Sequence, residues 1–223
     1  METSRMNRLK KIGLLVMSAL LTACGSNGLD ELKRLCEKDA GLTIYKTVEA
    51  DGYYDAASIG VGANLIDSGY QFLEFCNDDP KFTRAITEPG CWRVSKVKRE
   101  PGRCYERLDK RLAKYVVEPY SEFLKDRCLA VEKIGKPMAR YSYHDDFKKW
   151  YSKDGISKFT RSDVYIQNDF TNEILGRYIS YSYNIKPGHS TAKSCETFEG
   201  DYPSFTEANL VNTVIQPIHG EIK

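Results

Sequence analysis

The chain has 223 residues, 41% of them hydrophobic and 29% charged, with 33 Lys and Arg against 31 Asp and Glu for a formal net charge of +2. This balance is globular and excludes a disordered or fibrous chain. A charge so near zero also argues against bulk nucleic-acid binding, which needs a concentrated basic surface.

Residues 1–23 read as a targeting segment and stand apart from the fold. Arg5, Arg8, Lys10 and Lys11 precede an apolar run from Ile12 to Ala23. At ~1.5 Å per residue the run reaches ~18 Å, short of the ~30 Å hydrocarbon core, so an export signal is expected rather than a spanning helix. The run closes on Leu21-Thr22-Ala23-Cys24-Gly25. Basic flank, apolar run, small residues and cysteine in that order resemble the signal of bacterial lipoproteins, which is cut just before the cysteine. The resemblance covers these first residues only. It implies a diacylglycerol on the Cys24 sulfur, and Gly25 rather than Asp implies onward sorting to the outer membrane. Two or three acyl chains make a stable anchor where one is marginal. Residues 24–28 then form a lipidated tether, whose four residues after Cys24 reach ~13 Å at ~3.3 Å each and keep the domain near the periplasmic face of the bilayer.

Seven cysteines are present. Cys24 taken by lipid leaves Cys36, Cys76, Cys91, Cys104, Cys128 and Cys195. These are candidates for three disulfides, in any of 15 connectivities. An oxidising compartment agrees with that reading. Their spacing matches neither a zinc ribbon nor a C-x-x-C redox pair.

Residues 29–223 read as one α+β domain, mainly antiparallel sheet with a short N-terminal helix, a central helix and a C-terminal helix. The spacing of Leu29, Leu32, Leu35 and Cys36 predicts a helix over 29–38. Residues 42–48 are rich in β-branched side chains and predict a strand. Asp51-Gly52 reads as a turn and the glycine-rich 56–69 as a loop. Strands are expected over 69–76 and 91–98. Over 103–117, Tyr105, Leu108, Leu112, Tyr115 and Val116 follow helical spacing, with a strand over 112–117 as the rival. Tyr120, Phe123 and Leu124 extend a broken helix. From Cys128 the period falls to two, with strands over 129–134, 138–143, 156–167 and 173–183 in an antiparallel meander. In the last of these Ile179, Tyr181 and Tyr183 share one face. Ser204 and Glu207 form a capping box for a final helix, with Ala208, Val211, Val214 and Ile215 on one face and Pro217 as its stop.

Chemistry-bearing motifs are sparse. His144-Asp145-Asp146 is the densest polar trio and reads as a solvated turn after a strand. His189 and His219 read as loop and terminus. No Gly-x-Ser-x-Gly elbow, phosphate loop or dinucleotide fingerprint occurs, so no cofactor, metal or catalytic residue is expected. Paired acids such as Asp145 with Asp169 or Glu173 stay open for hydrolysis. The basic run Lys96, Lys98, Arg99, Arg103, Arg107, Lys110, Arg111 and Lys114 reads as a helix face laced with ion pairs, with a lipid-facing patch as the alternative. The sequence thus points to a membrane-anchored envelope lipoprotein whose domain binds or scaffolds a protein or glycan partner without catalysis. A periplasmic hydrolase of wall polymer or peptide, and a surface-exposed exclusion-type lipoprotein, are the alternatives.

Overall fold

The computed structural model describes residues 27–57, 65–66, 68–77, 86, 88–112, 120–152, 155, 157–185, 192–198 and 207–218. The expected leader, Cys24, His189, Ser204 and His219 lie outside these residues.

Helix α1 (Asn27–Asp39) begins two residues before the expected start and takes in Gly28. Leu32 and Cys36, one turn apart on one face, are both buried. The expected strand over 42–48 is broken into β1 (Gly41–Ile44) and β2 (Val48–Ala50). The backbone N–H groups of Tyr45 and Lys46 both donate to the Leu175 carbonyl at 2.9 Å. That double bond turns the chain off the ladder of β1. The expected turn at Asp51-Gly52 is instead the entry to β3 (Gly52–Asp55). Glycine is needed there for close approach, since a Cβ on Gly52 would lie 2.2 Å from the Phe72 carbonyl oxygen.

Strands β4 (Phe72–Asn77) and β5 (Gly90–Lys98) match expectation. The central helix is α2 (Glu106–Leu112), and α3 (Tyr120–Asp126) follows it. Residues 113–119, which hold all but the first residue of the rival strand over 112–117, lie outside the described residues. Then come β6 (Arg127–Ile134), β7 (Tyr141–Tyr151), β8 (Ser157–Asn168), β9 (Glu173–Ile185) and β10 (Lys193–Ser194). A 3-10 turn spans Cys195–Thr197. Helix α4 (Glu207–Val214) runs directly into β11 (Ile215–Pro217), so Ile215 is a strand residue and Pro217 is not the helix stop.

The strands order as β1-β9-β8-β7-β3-β4-β5-β6, with β10 on β9 and a separate parallel pair β11-β2. The fold is α+β and mostly antiparallel, with β3 parallel to both β4 and β7. Strands β7, β8 and β9 are sequential neighbours, as a meander requires. Strand β6 departs from it: β6 pairs β5 at the edge, and β3, β4 and β5 lie between it and β7.

The chain divides into two compact units. One draws on Met1–Ala40, Lys148–Arg161 and Ser180–Tyr202. In it α1 meets an aromatic group in which Trp150 stacks on Phe159 at 5.6 Å and Tyr181 meets Trp150 edge-on at 6.3 Å. Tyr181 donates its hydroxyl to Asp39 at 2.8 Å. The other unit draws on Gly41–Phe147, Ser162–Ile179 and Pro203–Lys223. Its core joins Leu73, Phe75, Trp92, Val94, Leu129, Tyr143 and Ile166 from the sheet to Leu108 and Leu112 of α2 and to Leu210, Val211 and Val214 of α4. The Tyr70 hydroxyl donates to the Ile215 carbonyl at 2.5 Å, and burial pushes its pKa well up.

Candidate functional site

The six cysteines expected to pair do so. The bonds are Cys36–Cys195, Cys76–Cys91 and Cys104–Cys128. Cys36–Cys195 ties α1 to the 3-10 turn. Cys76 and Cys91 are directly opposed in the β4–β5 ladder. Cys104–Cys128 ties the segment before α2 to β6. The remaining thiol, Cys24, lies outside the described residues.

The trio His144-Asp145-Asp146 is not a turn. It lies in the middle of β7, and strand alternation sends His144 and Asp146 to one face and Asp145 to the other. The Ser142 hydroxyl, fully buried, donates to Asp169 Oδ1 at 2.5 Å. An ionised carboxylate can only accept, so the single hydroxyl proton points there. Ser142 Oγ therefore accepts from Nε2–H of His144 at 2.8 Å, which sets the tautomer of that ring. The His144 ring stacks on Tyr165 at 4.9 Å, and Tyr165 donates to Asp146 Oδ2 at 3.5 Å. Burial raises the Tyr165 pKa, helped by the Asp146 charge. Arg177 lies over the Tyr165 ring and pairs with Asp163 at 2.8 Å.

The order Asp169–Ser142–His144 places a hydroxyl in the middle. Nucleophile activation places the imidazole there, against an accessible hydroxyl. Ser142 is neither accessible nor terminal, so the array orients a ring and has no attacking atom. The suggested acid pairs are not brought together. Asp145 accepts from Ser162 Oγ at 3.5 Å on the face opposite to Ser142, whereas Asp169 reaches Ser142 and Glu173 pairs with Lys46 at 3.7 Å. Burial raises the Asp145 pKa, with the Ser162 hydrogen bond opposing and the Asp146 charge adding. Among the described residues no group of three or more His, Cys, Asp or Glu side chains could hold a metal ion.

The basic run after β5 is laced with ion pairs. Arg99 meets Asp109 at 2.7 Å, Arg103 meets Glu100 at 3.4 Å and Lys110 meets Glu106 at 3.0 Å. Lys96 donates to the Ser68 carbonyl.

A polar surface that takes in Ser180 and Ser182, on the face of β9 opposite Tyr181 and Tyr183, lies in the unit that contains α1. The Ser152 N–H to Ser157 carbonyl bond and the Trp150–Phe159 stack fix the β7–β8 register. Counting from them puts Tyr151 opposite Lys158 and Lys149 opposite Thr160. The Phe159–Tyr183 ring contact and the Arg161–Tyr181 hydrogen bond then put Thr160 opposite Ser182. Ser182 pairs Ser194 of β10. One face of these strands is the aromatic packing described above. The other carries Lys149 and Tyr151, both exposed, beside half-buried Lys158, Thr160, Ser180 and Ser182. The signal was available as alternation: Lys149 and Tyr151 interleave with Trp150, as Lys158 and Thr160 do with Phe159.

No family model, curated protein or solved structure matches the chain.

Proposed function

We propose that this chain is an exported bacterial lipoprotein, cut before Cys24 and acylated there, whose domain binds or scaffolds another envelope component without catalysis. Cysteine arithmetic carries the reading. All six other cysteines are consumed in three disulfides, which leaves Cys24 the odd thiol. That thiol stands where the lipoprotein-like signal puts the acylated residue. Disulfides persist in oxidising compartments, which supports export. No helix among the described residues is long and apolar enough to cross a membrane. Attachment through lipid on Cys24 is the mechanism of membrane association in this reading. Anchorage raises the local concentration of the domain against partners at the same bilayer. Gly25 after the cysteine supports sorting to the outer membrane, and the short tether supports the periplasmic face.

Mass spectrometry of the membrane-extracted protein tests this directly. The expected mass is that of a chain starting at an acylated Cys24 with three disulfides. A Cys24→Ala variant is expected in soluble, unacylated form. Recovery of the native protein with an unmodified Cys24, or with residues 1–23 still attached, overturns the proposal.

A further inference from the structure

The geometry points to the open sheet face of Lys149, Tyr151, Lys158, Thr160 and Ser182 as a binding surface for an anionic glycan. This rests on the envelope-binding reading and names the partner class within it. Lys149 and Lys158 are diagonal neighbours in the register above, roughly 7–8 Å apart on the face. Neither pairs with a carboxylate among the described residues, in contrast to Lys33, Arg34 and Arg161 but in common with Lys38, Lys148 and Lys193 of the same unit. The rows that hold them contain no acidic residue: Tyr151 faces Lys158, and Lys149 faces Thr160, Ser182 and Ser194. Two ammonium groups with no internal counter-charge on one plane attract an anion that spans both.

The other side chains decide the class of anion. Thr160, Ser180 and Ser182 present hydroxyls that donate and accept. Covering them with hydrocarbon would strip their hydrogen bonds, which disfavours a bilayer even though Phe147 of the same strand is exposed. A sugar chain supplies hydrogen-bond partners to each of them, and its carboxylate or phosphate groups meet the lysines. Tyr151, 49% exposed, adds a ring at the edge for stacking. The plane is held from behind, where Trp150, Phe159 and Tyr183 pack in alternation with these positions. Exchanging the two faces would need a one-residue slip of the register. The ligand-facing groups are thus preorganised, which lowers the cost of binding.

The test uses the exported Cys24→Ala chain, or detergent-extracted native protein if that variant is not released. The two sources keep failure of the anchor separate from failure of the site. Polygalacturonate is titrated by calorimetry, with neutral dextran and phosphatidylglycerol-containing vesicles in parallel. Saturable, salt-sensitive binding to polygalacturonate alone is expected. Lys149→Gln with Lys158→Gln should weaken it about tenfold or more with Tm unchanged. A Lys33→Gln control should bind like the parent. Equal affinity of the double variant, equal binding to neutral dextran, or binding to vesicles without polygalacturonate would overturn the proposal.

Discussion

One buried and one half-buried carboxyl group of the larger unit show how neighbours decide what a charge costs. Glu74, fully buried in β4, receives Nε of Arg93 on one oxygen at 2.9 Å and the backbone N–H groups of Met138 and Ala139 on the other at 2.6 and 2.8 Å. Its charge is thereby compensated, and the loop before β7 is pinned to β4. Asp145 has only the Ser162 hydroxyl at 3.5 Å and a second carboxylate, Asp146, next to it in sequence. Burial therefore raises its pKa above the ordinary 3.8. The folded chain then holds that proton more tightly than the unfolded one. Stability from this group is fully present below the ordinary value and is lost as pH rises through the raised one. Asp145→Asn keeps an acceptor for Ser162 and removes the titration. The variant should melt higher than the parent at neutral pH, and the gap should close on acidification to about pH 3.5. Thermal melts of both proteins across that range measure it, and a gap that stays constant with pH would refute the account. The effect is small because Asp145 is only partly buried, which leaves solvent to screen it.

Elements with a periodic apolar signal were legible, and those whose role is set by a distant partner were not. Helix α1 follows from Leu32 and Cys36, and β9 from the alternation that buries Ile179, Tyr181 and Tyr183. Asp51-Gly52 carries turn chemistry where β3 begins, and the pairing of β3 with β4 and β7 is a tertiary fact. Strand β7 runs on past His144 because pairing with β8 keeps the chain extended through Asp145, Asp146, Lys148 and Lys149, whose polar run breaks the alternation that bounds the expected strand. The lysine-bearing face went unseen for the same reason, since its meaning appears only when Lys149 and Lys158 are brought together. Gly176 of β9 illustrates such a contact in energetic form. A Cβ there would lie 2.4 Å from Val214 Cγ2 on α4, a fully buried side chain. Gly176→Ala should destabilise by about 1–3 kcal/mol through overpacking. Adding Val214→Ala should return part of that loss, so the pair costs less than the sum of the singles by at least ~0.5 kcal/mol. Urea denaturation of the four-protein cycle measures the coupling. Additivity would show that α4 does not rest on β9 through Gly176.

On the scale of the whole molecule the disulfides divide by the length of chain they close. Cys36–Cys195 encloses a separation of 159 residues, Cys104–Cys128 one of 24 and Cys76–Cys91 one of 15. Chain-entropy accounting assigns about 5 kcal/mol to the first and about 3 kcal/mol to the last. The two also differ in what remains once they are cut. Removing Cys76–Cys91 leaves the β4–β5 ladder paired from Phe72 with Ser95 to Asn77 with Gly90. Removing Cys36–Cys195 leaves α1 held in its unit by the buried Leu32, the Tyr181–Asp39 hydrogen bond, the Arg161–Asp39 ion pair and the packing of Gly28 on Tyr183. A helix of 13 residues is marginal without tertiary support. Local opening of α1 should then precede global unfolding. Cys36→Ala with Cys195→Ala is therefore expected to lose more stability in urea than Cys76→Ala with Cys91→Ala. It should also become sensitive to trypsin at Lys33, Arg34 and Lys38, while the second variant keeps α1 protected. Because α1 is the first described element after Cys24, a nick there would separate the segment that carries Cys24 from the folded domain. Limited proteolysis followed by mass spectrometry distinguishes the outcomes. Cleavage in α1 of both variants at equal rates, or of neither, would mean that the long-range disulfide is not what fastens this helix.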